Sequence, residues 1–150
     1  MDLKKIKVDF KDPATLCTLG GCVILLLSCF LPVIKDLGSN VNLMGGNHHG
    51  VVHLILVIAI VVLLILNQQK ILSGVLAAEI VWCIWDIRSV AKTVSDENKY
   101  GKMIFDEKVA SFQIGFFLLI IGALALVGAL VLISMNAKKS APAQPTQPMQ

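Results

Sequence analysis

Long apolar runs separated by short polar stretches organise this chain: residues 14–34, 51–66, 71–90 and 109–134 hold only Glu79, Asp86 and Arg88 as charged side chains. With its flanks, each run approaches or exceeds the roughly 20 residues a helix needs to cross about 30 Å of hydrocarbon. Spanning strands would alternate in polarity, whereas VILLLSCFLPVI and LILVIAIVVLLIL are apolar on every side. The pattern predicts an all-α integral membrane protein, a four-transmembrane-helix bundle with spans at about 13–34, 48–66, 70–90 and 109–134. A basic amino-terminal segment, 1–12, precedes this 13–136 domain, and a tail, 137–150, follows it. That tail, with SAPAQPTQPMQ from Ser140, is rich in Pro and Gln, has no apolar periodicity and is expected to be disordered.

Composition sharpens the picture. Of 150 residues, 56% are apolar and 15% charged, against about 25% charged in soluble domains. Asp12 is placed to cap the first helix, with Pro13 at its first position, and Pro32 is placed to kink or stop it. Lys4, Lys5, Lys7 and Lys11 precede the first span, Lys70 sits in the short NQQK turn, and Lys138 and Lys139 follow the last span. With four spans all three segments share one side, so both termini are expected in the cytoplasm, N-in and C-in. The loop expected from Ala91 to Lys108 carries Lys92, Lys99, Lys102 and Lys108 on the other side, offset by Asp96, Glu97, Asp106 and Glu107. LLSC ending at Cys29 resembles a lipoprotein cleavage signal, but Leu27 is bulky for its place and FLPVI is not a soluble mature start. Cys17, Cys22, Cys29 and Cys83 lie inside spans without CxxC pairing and read as small packing residues.

Glu79 and Asp86 are functional candidates, because a carboxylate inside a span is costly. Seven residues apart, they share one helix face about 10 Å apart, with Trp82 and Cys83 flanking the stripe between them. Arg88 lies nearly opposite Glu79 and is better placed for headgroups. The plainest role for Glu79 is a protonated or hydrogen-bonded acid joined to Ser28, Thr18 or a backbone group; an ion or proton pathway is the sharper alternative. For Asp86 a contact with water or a loop at the helix end is expected. Gly74 and Ala78 on the third span, and Gly122, Ala125, Gly128 and Ala129 on the fourth, are small positions suited to packing within the bundle.

The segment GGNHHGVVH holds all three histidines. If Asn47 caps the second helix, His48 and His49 fall in its first turn, Gly45 and Gly46 turn the chain into it, and His53 shares a face with His49. His49 and His53 have the four-residue spacing of two-histidine metal sites, and climbing the antiparallel third helix brings the region from Cys83 to Asp86 level with His53. That set, His49, His53 and Asp86, is the metal candidate. Against it, His48 points elsewhere and a cation opposes the helix dipole, so the expected arrangement is a surface turn with His53 bonded to Asp86 or water, and no cofactor.

CFLPVI at 29–34, NLMGGNHHGVVHLILVIAIVVLLIL at 42–66, Trp85 with Asp86, and SFQIGFFLLIIGALALVGALVL at 111–132 together resemble a group of small, uncharacterised four-helix membrane proteins of mainly Gram-positive bacteria. In that group the unit sometimes follows an amino-terminal zinc ribbon. This sequence carries no such ribbon, and Asn47, His48 and His49 stand where the group often has a Gly and Asp turn. The resemblance implies fold and topology and carries over no catalytic residue.

No GxSxG, HExxH, P-loop or dinucleotide fingerprint is present, and the basic patches suit a membrane surface rather than nucleic acid. The expectation is a non-enzymatic protein of the bacterial cytoplasmic membrane that acts by contacts with another membrane protein or itself, as an accessory or immunity-type factor. The alternatives are a small oligomeric ion or solute carrier using Glu79 and, third, a metal sensor built on the histidines.

Overall fold

The structure is a computed structural model and describes residues 10–45 and 49–139. The expectations placed on residues 1–9, on Gly46, Asn47 and His48, and on the tail from Ser140 lie outside those residues. Four helices, α1 (Pro13–Phe30), α2 (His49–Ile65), α3 (Gln69–Phe105) and α4 (Ile114–Lys139), run up and down in a bundle. The fold is mostly helical but not all-α as expected: three short strands, β1 (Pro32–Asp36), β2 (Ser39–Asn42) and β3 (Ala110–Phe112), form an antiparallel sheet of order β2-β1-β3 at one end of the bundle.

Asp12 caps α1 as expected: its Oδ2 accepts from the Thr15 amide and hydroxyl, both at 3.1 Å, and Pro13 occupies the first turn. The end of α1 is a correction. The first span was expected to run to Ile34, but the helix stops at Phe30 and Pro32 opens β1. A residue before proline is pushed into extended backbone, and Leu31 sits there with ψ 152°.

The chain then folds back through Leu37 (φ 40°) and Gly38 (φ 89°), the two positive-φ positions of a tight hairpin that pairs Asp36 with Ser39. β3 pairs with the other edge of β1, matching Ile34 with Phe112 and Asp36 with Ala110. The fourth helix accordingly starts at Ile114, after the strand, rather than at 109. Gly115 permits this close seating, since a Cβ there would lie 2.7 Å from the Leu31 carbonyl oxygen and 2.8 Å from that of Pro32.

Between α2 and α3 the chain turns on Asn67 in the left-handed region (φ 53°). The Asn67 amide donates to the Leu64 carbonyl and the Gln68 amide to that of Leu63, a Schellman closure that uses asparagine where glycine is usual. The third helix does not end at residue 90, as its polarity suggested; it continues to Phe105. The extension is amphipathic, with Val90, Val94 and Gly101 buried and the charges outside, so its lysines and acids decorate a helix instead of a loop. Asn98 clamps β3 to this extension: its side chain donates to the Ala110 carbonyl and accepts from the Ala110 amide, both at 2.9 Å. At the far end α4 remains helical through 139, beyond the expected boundary at 136.

α1 packs most closely on α4. A Cβ on Gly21 would meet Leu126 at 2.7 Å, and one on Gly122 would meet Leu25 at 2.8 Å. Gly122, Ala125 and Ala129 thus serve packing within the bundle, while Gly74, Ala78 and Gly128 do not: Gly74 and Ala78 are exposed, and a Cβ on Gly74 or Gly128 would meet nothing within 4 Å. Among the described residues two helices, Pro13–Phe30 and Ile114–Ala137, are long and apolar enough to cross a membrane, and α2 is a shorter apolar helix.

Candidate functional site

α2 and α3 face each other through two stripes of buried side chains, one of His53, Val57 and Ile60, the other of Leu72, Leu76, Glu79, Cys83 and Asp86. Spacings of three and four residues put each stripe on one helix face. His53, Glu79, Cys83 and Asp86 all have 0% exposure.

His53 joins both acids. Its Nε2 lies 2.8 Å from Asp86 Oδ2 and its Nδ1 lies 2.5 Å from Glu79 Oε1. His49, one turn earlier on α2, places Nδ1 2.6 Å from Asp86 Oδ1, so both oxygens of Asp86 are engaged by imidazoles. The result is a continuous chain of hydrogen bonds from His49 through Asp86 and His53 to Glu79. Cys83 lies against its inner end, its thiol 3.7 Å from Glu79 Oε1 and 4.0 Å from His53 Nδ1. Two buried polar atoms of the group have no partner among the described residues: Glu79 Oε2 and Trp82 Nε1.

Three hydrogen bonds need three protons. With His49 neutral, two protons are shared among His53, Glu79 and Asp86 and one is on His49 Nδ1, so the chain carries one net negative charge wherever the His53–Glu79 proton sits. A second proton on His49 brings it to neutrality. His49 is the member that reaches outward, with 21% of its side chain exposed. It borders an open cleft of about 250 Å³ lined by Ile34, Val41, Asn42, Ser89 and Thr93, between the sheet and α3. Trp85 stacks on its ring at 5.0 Å between centroids, and Trp82 lies tilted at 6.1 Å.

The inner end is closed. Beyond Glu79, toward the start of α3, the buried positions of α2 and α3 are Val57, Ile60, Leu76 and Leu72. Leu72 also lines the polar cleft at the opposite end, with Asp12, Thr15, Thr18 and Asn67. Two helical turns, about 10 Å, separate it from Glu79.

The expected pairing of His53 with Asp86 is present. Three expectations are corrected. Glu79 is held by His53 and Cys83, not by Thr18 or Ser28, whose hydroxyls donate within α1 to the carbonyls of Ala14 and Leu25. Asp86 is fully buried between two histidines rather than meeting water or a loop. Gly45 does not supply a positive φ; the turn there is held by Asn42, whose Oδ1 accepts from the Gly45 amide at 2.6 Å. Cys83 is the participant that sequence reasoning treated as packing; its signal was the four-residue step from Glu79 on the same stripe. Comparison with protein-family models, curated proteins and solved structures gives no match to this chain.

Proposed function

We propose that this is a multi-pass protein of the bacterial cytoplasmic membrane, both termini inside, that acts without catalysis as an accessory or immunity-type factor through contacts with another membrane protein. Its buried chain from His49 to Glu79 is the element that responds to a cation arriving from the outer side. The observation that carries this reading is the one-endedness of the chain: it meets solvent at His49 and ends at Glu79 against apolar side chains. A group that takes up and returns a cation on one side needs only one opening. A carrier using Glu79 needs a second, and Leu76, Leu72 and Ile60 occupy that direction. Because His49 tethers the first turn of α2 to α3, the charge state of the chain bears directly on the outer surface formed by that turn and the hairpin. The bacterial setting rests on the resemblance of the four-helix unit.

Two measurements test it. The chain's two tryptophans, Trp82 and Trp85, flank His49 and report on it. In proteoliposomes, acidifying the outside at constant lumenal pH is expected to change tryptophan emission, with no proton or cation flux above that of protein-free vesicles. A sustained flux that disappears in Glu79→Gln would make the protein a carrier. For orientation, a membrane-impermeant maleimide applied to whole cells is expected to label Ser39→Cys on the hairpin and spare Gln68→Cys in the α2–α3 turn, both in a Cys17→Ser background, since the other three thiols are buried. Labelling of Gln68→Cys alone reverses the topology.

A further inference from the structure

We propose that His53, Glu79 and Cys83 form a binding site for a divalent transition metal of the zinc type, with Asp86 holding His53 in place from behind. This names the ligand of the responding centre above and rests on that reading for its access route.

The three donor atoms lie within 4.8 Å of one another and are fully buried. Their separations, 2.5, 3.7 and 4.0 Å, bracket the roughly 3.4 Å between ligands of a tetrahedral metal at bond lengths of about 2.0 to 2.3 Å. One imidazole, one carboxylate and one thiol suit zinc and its neighbours; calcium and magnesium require oxygen sets.

Two further features point the same way. Ligating histidines characteristically donate their other ring N–H to a carboxylate, which fixes the tautomer and raises the basicity of the ligating nitrogen. Here His53 Nε2 lies 2.8 Å from Asp86 Oδ2, placed to donate to that carboxylate, and Nδ1 faces Glu79 and Cys83. Asp86 is in turn oriented by His49. Independently, Glu79 Oε2 is a buried oxygen without a partner among the described residues. An orphaned carboxylate oxygen costs free energy unless something positive approaches it.

The exchange also balances in charge. A divalent ion displaces the proton between His53 and Glu79 and the proton of the Cys83 thiol; the Nε2 proton stays on His53, hydrogen-bonded to Asp86. Two positive charges leave and two enter. The buried net charge is therefore unchanged, and the ion brings no additional uncompensated charge into the low-dielectric interior.

The test uses the full chain, purified in detergent, stripped with chelator and titrated with cobalt(II). The expected result is one cobalt per chain with a thiolate-to-cobalt charge-transfer band, two protons released per ion, displacement by zinc and no response to magnesium. Cys83→Ser is expected to abolish the band while circular dichroism and gel filtration stay unchanged, and Asp86→Asn to weaken cobalt binding about 10- to 100-fold. Absence of the band in the unmodified protein, or its survival in Cys83→Ser, overturns the proposal. If tryptophan emission answers to protons but no cobalt binds, the metal is wrong and the responding centre stands. If cobalt binds with the band while emission in vesicles ignores both cobalt and protons, the site stands and the responding centre falls.

Discussion

His53 and Asp86 are separated by 33 positions along the chain and by 2.8 Å between ring nitrogen and carboxylate oxygen. That bond closes α2 onto α3 in the half of the bundle nearer the sheet. With the Glu79 bond at 2.5 Å, it makes one imidazole the bridge between two buried acids.

Removing the bridge alone leaves both acids without their shared partner. His53→Ala is expected to cost on the order of 3 to 5 kcal/mol, because breaking a buried pair strands its charge. Replacing His53, Glu79 and Asp86 together by leucine is expected to restore thermal stability in detergent to the level of the unmodified protein or above, since the apolar triple carries no desolvation penalty. A triple variant less stable than His53→Ala would show that the network contributes net stability. The melting midpoint by circular dichroism is the measurement.

At Glu79 the two expected outcomes diverge. Glu79→Gln keeps an oxygen acceptor for His53 and is expected to accumulate and fold nearly as the unmodified chain does. Glu79→Lys places an ammonium against His53 at depth and is expected to lose about 3 kcal/mol at insertion, with falling membrane levels. Quantitative blotting of membrane fractions separates them; equal loss in both would mean that the site requires a carboxylate even to fold.

The α1–α4 seam makes a prediction by contrast. Gly122→Ala drives a methyl to within 2.8 Å of Leu25 and is expected to cost about 1 to 3 kcal/mol. Gly74→Ala, with open space at its Cβ, is expected to be neutral or to stabilise by up to about 1 kcal/mol through helix propensity. Melting midpoints of the two variants, measured side by side, check the order.

Leu37 sits at φ 40° and is 69% exposed, so it bears the cost of left-handed backbone without burying its side chain. Leu37→Asn, the residue this hairpin position favours, is expected to slow amide exchange in β2, a gain of about 0.5 to 1 kcal/mol in local opening free energy. Unchanged protection factors at Asn40 and Val41 would show that the hairpin is held by β3 rather than by its turn.

Side-chain spacing along a single helix was legible in the sequence, although the ends of α1 and α3 were not. The Asp12 cap, the shared face of Glu79 and Asp86, and the one-turn step from His49 to His53 follow from helical geometry alone, and equal climbs along two antiparallel helices were enough to pair His53 with Asp86. Hydropathy marked four apolar segments that became four helices, but misled where the chain turned polar: residues 91–105 looked like a loop because their charges obscured the stripe of Val90, Val94 and Gly101. The partner of Glu79 depended on how α2 is rotated about its axis, which turns His53 rather than Thr18 or Ser28 toward it, and rotation is set by the packing of all four helices. The same rotation brought Cys83 beside His53. The sheet needed residues 32–36 to meet 110–112, a pairing of distant segments that no local period announces and that exists because α1 ends and α4 begins at the same end of the bundle.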